Sequence, residues 1–72
     1  MTARALDLEV LRNGRPLDSF QGNGDPEDIA WLQKRLQGYL EAKKWDKALW
    51  GQFEVVARDA GKNRQLAKVR AV

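Results

Sequence analysis

Cysteine and histidine, two residues that proteins often use for chemistry, are absent from this 72-residue sequence. Without cysteine the fold cannot rely on disulfides, which fits a reducing interior. Without histidine the chain lacks the most common general base and metal ligand. Aliphatic hydroxyl groups are limited to Thr2 and Ser19, so nucleophilic catalysis has almost no candidates. We therefore expect no enzyme activity, no metal site, no cofactor and no small-molecule substrate.

Long apolar runs are also missing. No stretch approaches the roughly 18 residues of a membrane span. The alternating residues after Arg4 do not form the apolar block of a signal peptide. We therefore expect a cytoplasmic protein without membrane contact. Three tryptophans, together with few prolines and serines, are typical of a folded chain.

The length of the sequence indicates one domain, which we assign to residues 1–72. A chain of this size buries only about 60% of the surface that its unfolded form exposes. Its core rarely supplies more than about 3–5 kcal/mol of stability. We therefore expect stabilisation by a protein partner or by a second copy in a homo-oligomer.

Alternation of apolar and polar residues predicts two strands at the start of the chain. Leu6, Leu8 and Val10 alternate with two acids, and the Asn-Gly pair that follows is the strongest two-residue hairpin signal. A two-residue turn sets Val10 opposite Leu17 and Leu8 opposite Ser19. The proline in the second strand favours a position at the edge of the sheet.

A capped helix is predicted from Asp25 to about Trp45, after a flexible loop at residues 21–24. Asp25 can cap the helix, and the proline after it fits the first helical position. Asp46 can then cap a short extra turn that closes at Gly51.

The residues after this turn predict a second hairpin. Alternation from Phe53 to Arg58 indicates a third strand, residues 59–63 a turn, and residues 65–72 the last strand. The pattern is that of an α+β domain of the type ββαββ, in which one helix packs on a four-stranded sheet.

Charge favours one order of the strands. Glu9 lies opposite Asp18 in the predicted register, which is an unfavourable like-charge pair. Lys68 and Arg70 of the last strand would relieve this repulsion beside the first strand, which gives the order 2-1-4-3. That order resembles the β-grasp layout of ubiquitin-like folds, and the resemblance concerns topology alone. An alternative order, with the second hairpin on the other edge, leaves the acids to solvent.

The predicted helix is apolar on two opposite sides, although a helix on a single sheet needs only one apolar side. The core-facing side consists of Ile29, Leu32, Leu36, Tyr39 and Leu40. The second side is a candidate protein-interaction surface and consists of Trp31, Arg35, Gly38, Ala42 and Trp45. We expect Arg35 to lie over the Trp31 ring and Gly38 to leave a gap for a group of the partner.

Two interpretations of this second side stay open. Tryptophan is costly to expose, which favours contact with a partner protein or with a second copy. Alternatively, lysine and arginine stems shield Trp31, while Trp45 lies beyond the helix end and joins Trp50 in the core.

Basic residues concentrate in the second half of the chain. Residues 37–72 hold eight of the 13 basic residues and four of the 10 acidic residues. The C-terminal hairpin contributes the candidate phosphate-binding residues Arg58, Lys62, Arg64, Lys68 and Arg70. Aromatic side chains for base stacking are not interleaved with these charges. Nucleic-acid binding is therefore the alternative hypothesis to a protein-interaction module.

The stretch from Trp50 to Val55, which follows a short capped helix in a compact chain, resembles small uncharacterised proteins encoded by actinobacterial phages. The resemblance implies a cytoplasmic accessory protein or a protein that interacts with host components. It supplies no site residues.

Overall fold

Four strands and one α-helix form the fold in the computed structural model, which describes residues 3–62 and 64–72. The elements are β1 (Arg4–Arg12), β2 (Arg15–Gly24), α1 (Ile29–Ala42), a 3-10 helix (Lys47–Gln52), β3 (Phe53–Asp59) and β4 (Arg64–Arg70). The strands pair antiparallel in one sheet, and α1 packs on one face of it. The predicted α+β class and the ββαββ element order are confirmed.

The turn of the first hairpin forms at the predicted residues. Asn13 and Gly14 have φ angles of 52° and 80°, as a two-residue hairpin turn with positive φ requires. Arg12 and Arg15 face each other across this turn. The local sequence signal therefore sets the start of the pairing correctly.

The predicted strand order is wrong, because the sheet runs β2-β1-β3-β4. The prediction depended on Glu9 lying opposite Asp18. A register shift after Val10 leaves Leu17 as an extra residue on β2, so that Asp18 lies opposite Val10 and Ser19 opposite Glu9. The like-charge pair never forms, and the β-grasp-like order loses its basis.

Arg58 provides the counterion of Glu9 in the observed sheet. Its Nη1 lies 2.7 Å from Glu9 Oε1, across the pairing of β1 with β3. The prediction that Lys68 and Arg70 of the last strand lie beside β1 is therefore wrong, because β3 occupies that place and a single arginine of β3 meets Glu9.

The core lies between α1 and the two central strands. Its fully buried side chains come from β1, α1 and β3 and from the residue just after β4, namely Leu6, Leu8, Val10, Leu32, Leu36, Leu40, Phe53, Val55, Ala57 and Ala71. Trp50 of the 3-10 helix joins them, as one of the two interpretations predicted. Ile29 was predicted to face the core, but it is the first helical residue and stays 53% exposed.

Both ends of the helix differ from the prediction. Asp28, not Asp25, caps α1, because Asp28 Oδ1 accepts the Trp31 N–H at 3.1 Å. Asp25 instead closes a separate turn, in which it accepts the Glu27 N–H at 2.9 Å. The predicted loop at residues 21–24 is the end of β2.

A Schellman motif ends α1 before Trp45. Lys44 takes a φ of 61°, and its N–H donates to the Glu41 carbonyl at 3.0 Å. The Trp45 N–H donates to the Leu40 carbonyl at 3.0 Å. Asp46 then caps the 3-10 helix through a bond from Ala48 N–H, as predicted.

Helix α1 lies off-centre, over the β3 and β4 half of the sheet. Gln33 Nε2 donates to the Arg70 carbonyl at 3.2 Å, and Gln37 Nε2 donates to the Ala71 carbonyl at 2.7 Å. Long side chains of the helix must therefore cover β2 on the other side. At 14 residues, α1 is too short to span a membrane, and no other helix in residues 3–62 and 64–72 could do so.

Candidate protein-interaction site

The Trp31 ring covers the end of β2 because a glycine faces it there. A Cβ atom at Gly24 would overlap three atoms of the six-membered ring of Trp31, including Cζ3 at 2.6 Å. Only a residue without a side chain allows this approach. Trp31 is consequently half-buried and packs against the core.

Gly22 lies on the same face of β2 and leaves room for Arg35. A Cβ atom at Gly22 would lie 3.5 Å from Arg35 Nη2, an ordinary contact. The Arg35 guanidinium carbon also lies 5.6 Å from the centre of the Phe20 ring, within range of a cation–π interaction. Arg35 therefore extends from the helix towards β2 over small or flat side chains.

Phe20 and Tyr39 join β2 to α1 on this side of the helix. Their rings are stacked, with centres 5.7 Å apart and planes 9° from parallel. The Tyr39 hydroxyl donates to Asp18 Oδ2 at 3.0 Å. Tyr39, predicted as a core residue, is thus half-buried and holds the edge strand.

The same contacts shift the pKa of two groups. The Ser19 N–H and the Tyr39 hydroxyl both donate to Asp18, and with the Lys43 charge they lower its pKa below 3.8. Partial burial of Tyr39, together with the Asp18 carboxylate, raises the tyrosine pKa above 10.0. Asp18 therefore stays ionised at neutral pH and Tyr39 stays protonated.

A shallow groove of about 410 Å³ lies between α1 and β2, and we call it the α1–β2 groove. It is lined by Phe20, Lys34, Arg35, Gly38 and Tyr39. Two of these side chains are cationic and two are aromatic, and none of the described lining residues is acidic. The groove is therefore suited to a partner that brings negative charge.

The structure brings only part of the predicted surface together. Arg35 and Gly38 line the groove, and Trp31 lies one turn before Arg35, over Gly24. Arg35 lies over Phe20 instead of over Trp31, because β2 extends beneath this side of the helix. Ala42 is exposed at the helix end.

Trp45 does not belong to this surface, because α1 ends three residues before it. Its ring packs on Phe53, with centres 5.0 Å apart. The guanidinium of Arg12 lies 4.7 Å from the centre of the Trp45 ring, and Arg12 Nε donates to Gln52 Oε1 at 3.1 Å. Trp45 thus packs against the core, as the second interpretation predicted.

The five basic residues of the C-terminal hairpin do not form one free patch. Arg58 pairs with Glu9, and Lys68 Nζ lies 3.6 Å from Glu54 Oε2. Arg64 and Arg70 lie opposite acids in the β3–β4 pairing, and Lys62 is exposed in the turn.

Sequence reasoning missed three residues of the groove, namely Phe20, Tyr39 and Lys34. Phe20, Gly22 and Gly24 alternate along β2 with the period of a strand face, which is a signal that could have placed Phe20. Interpretation of residues 21–24 as a loop concealed that period. No family model, curated protein or solved structure matches this chain.

Proposed function

We propose that this protein is a non-catalytic interaction module that binds an acidic segment of a partner protein in the α1–β2 groove. The observation that carries the proposal is the position of Lys34 and Arg35 beside the Phe20 and Tyr39 rings. Aromatic and arginine side chains supply much of the affinity at protein interfaces. As part of the proposal we place the protein in the cytoplasm, since a chain without cysteine needs no oxidising compartment.

Charge favours an acidic partner over a second copy. Two copies that met symmetrically at this groove would bring Lys34 and Arg35 towards their own equivalents. Asp18 offers little compensation, because Ser19, Tyr39 and Lys43 already stabilise its charge. An acidic segment instead meets two cations, and oppositely charged surfaces favour both encounter and specificity.

Binding of labelled peptides tests the proposed charge preference. The probe is a fluorescent ten-residue peptide of alternating glutamate and threonine, and its control alternates lysine and threonine. We expect the glutamate peptide to bind more tightly by fluorescence anisotropy, and added salt to weaken this binding. Equal binding of the two peptides, or no binding up to about 1 mM, would contradict the proposal.

A matched pair of charge reversals locates the binding site. Lys34→Glu changes the groove, whereas Lys62→Glu makes the same charge change in the β3–β4 turn. We expect Lys34→Glu to weaken binding of the glutamate peptide by about five- to tenfold, and Lys62→Glu to have less than a twofold effect. If Lys62→Glu weakened binding more than Lys34→Glu does, the binding site would lie at the basic C-terminal hairpin and not in the groove.

Two further measurements separate the alternatives. A labelled oligothymidylate of ten nucleotides tests nucleic-acid binding, and tighter binding of it than of the glutamate peptide would overturn the proposal in favour of a nucleic-acid binder. Sedimentation of the free protein tests self-association. A stable dimer that Lys34→Glu alters would show that a second copy occupies the groove.

A further inference from the structure

Strand β2 lies at the edge of the sheet, and the hydrogen bonds show which of its backbone groups face outward. In an antiparallel sheet, successive residues of a central strand bond alternately to the two neighbouring strands. The Ala60 N–H donates to the Ala5 carbonyl at 3.3 Å, so the backbone groups of Ala5 are directed towards the β3 side. Asp7 and Glu9 follow the same alternation.

In the β2 residues opposite these three positions, the backbone N–H and C=O groups therefore point outward, away from β1. They are Asn23, Gln21 and Ser19. The Ser19 N–H is already bound by Asp18 Oδ1 at 2.8 Å, which agrees with its outward direction. Gln21 and Asn23 keep both backbone groups directed towards solvent at this edge.

Pairing with another strand is blocked in the first half of β2 but not in its second half. Pro16 has no N–H to donate, and Leu17 is the extra residue of the register shift. The next N–H that points outward is that of Ser19, and it already donates to the Asp18 carboxylate. From Gln21 to Gly24 none of these obstacles is present.

The two faces of β2 differ in charge. Phe20 and Gly22 point to the helix side, where Lys34 and Arg35 lie. On the other face, Gln21 Nε2 donates to Asp7 Oδ1 at 3.3 Å, and Glu9 lies beside Ser19. Asp18 precedes Phe20 on the helix side, and Arg58 pairs with Glu9 on the other face. A strand added opposite residues 20–24 would therefore place alternate side chains beside the two groove cations and beside Asp7.

We propose that the acidic segment binds as a fifth, antiparallel strand whose central residue lies opposite Gln21. Its acidic side chains lie opposite Phe20 and Gly22 on the groove side, and uncharged side chains lie on the face of Asp7. This inference rests on the proposed function and adds the mode of binding. The partner is thus an extended segment with acidic residues at every second position.

Selective methylation of peptide nitrogens tests the added strand. In antiparallel pairing, the residue opposite Gln21 directs its N–H towards β2, whereas its two neighbours direct theirs away. In the glutamate–threonine peptide, the threonines take the positions opposite Gln21 and Asn23. We therefore compare one peptide methylated at every threonine nitrogen with one methylated at every glutamate nitrogen.

We expect threonine methylation to weaken binding at least tenfold and glutamate methylation to weaken it less than threefold. We also expect the bound unmodified peptide to slow amide hydrogen exchange at Gln21 and Asn23 at least tenfold. The reverse methylation pattern would overturn the antiparallel arrangement. Equal effects of both methylations would overturn strand addition, while a retained preference for the glutamate peptide would leave the proposed function intact.

Discussion

The two edge strands of this sheet, β2 and β4, meet the helix in different ways. At β4, two helix glutamines bind backbone carbonyls directly, and the helix lies close to the strand. At β2, the helix is farther away, and side chains of Trp31, Arg35 and Tyr39 extend across to glycines and to Phe20. The β4 side is thus joined by polar bonds to the backbone, whereas the β2 side is joined by flat side chains.

This difference shows how a single off-centre helix can leave one edge suited to binding. Flat aromatic and guanidinium groups cover β2 without filling the space above it, so a groove remains beside an edge strand. The closer approach at β4 leaves less room between helix and sheet. Four substitutions test this difference between the two edges, and Gly24→Ala should change the stability most.

Gly24→Ala should have the largest effect, because the new methyl group overlaps the Trp31 ring. We expect a loss of about 2–3 kcal/mol in the free energy of unfolding, measured by chemical denaturation. Gly22→Ala is the matched control, since its methyl group makes only ordinary contacts at 3.5 Å. Equal losses of stability in the two variants would show that the packing of the Trp31 ring on β2 does not require glycine at position 24.

Gln37→Ala tests the β4 side. It removes the bond to the Ala71 carbonyl and should lower the free energy of unfolding by about 1 kcal/mol. Glu41→Ala is the control for the change in helix propensity, because Glu41 is exposed on the same helix. If the two variants lost the same stability, the bond to Ala71 would contribute nothing.

Gly38→Ala tests how open the groove is. Apart from the neighbouring residues and the backbone of the helix itself, no described atom lies within 4 Å of a Cβ atom at Gly38. Alanine should therefore fit and should stabilise the helix by about 0.5–1 kcal/mol. Chemical denaturation measures the gain. A loss of stability would mean that the helix and β2 lie closer together than described.

Titration of the Tyr39–Asp18 contact should give the smallest effect. The raised pKa of Tyr39 contributes stability below pH 10.0, and this contribution is lost as pH rises through the raised value. The lowered pKa of Asp18 contributes stability above pH 3.8, which is lost as pH falls through the lowered value. Tyr39→Phe should remove the loss of stability at alkaline pH that comes from Tyr39, and it should reduce the loss of stability at acidic pH that comes from Asp18.

Thermal unfolding at several pH values measures these changes, and the absorbance of tyrosinate measures the pKa directly because the chain has one tyrosine. A tyrosine pKa at its ordinary value in the native protein would contradict the bond to Asp18.

Local signals in the sequence predicted the elements better than their arrangement. The Asn-Gly turn, the cap at Asp46 and the leucine stripe depend on neighbouring residues, and all three are observed. The helix end was harder to predict, because Lys44 adopts positive φ at a position where glycine is usual.

The strand order and the groove depend on contacts between distant residues. One extra residue, Leu17, changed which side chains face each other across β1 and β2, and the order inferred from charge failed with it. Of the predicted second side of the helix, Arg35 and Gly38 line the groove, whereas Trp45 lies beyond the helix end and packs on Phe53. Which residues share this surface depends on where the helix ends and on where it lies over the sheet. That position follows from the packing of the whole core.

The central position of β1 also bears on how the chain folds. Each hairpin joins neighbouring segments and can form early, whereas the pairing of β1 with β3 brings Glu9 and Arg58 together over 49 residues of sequence. Closing so long a loop costs conformational entropy before any contact repays it. We therefore expect this pairing to limit the folding rate, so that the four-stranded sheet is complete only when the last part of the chain has joined β1.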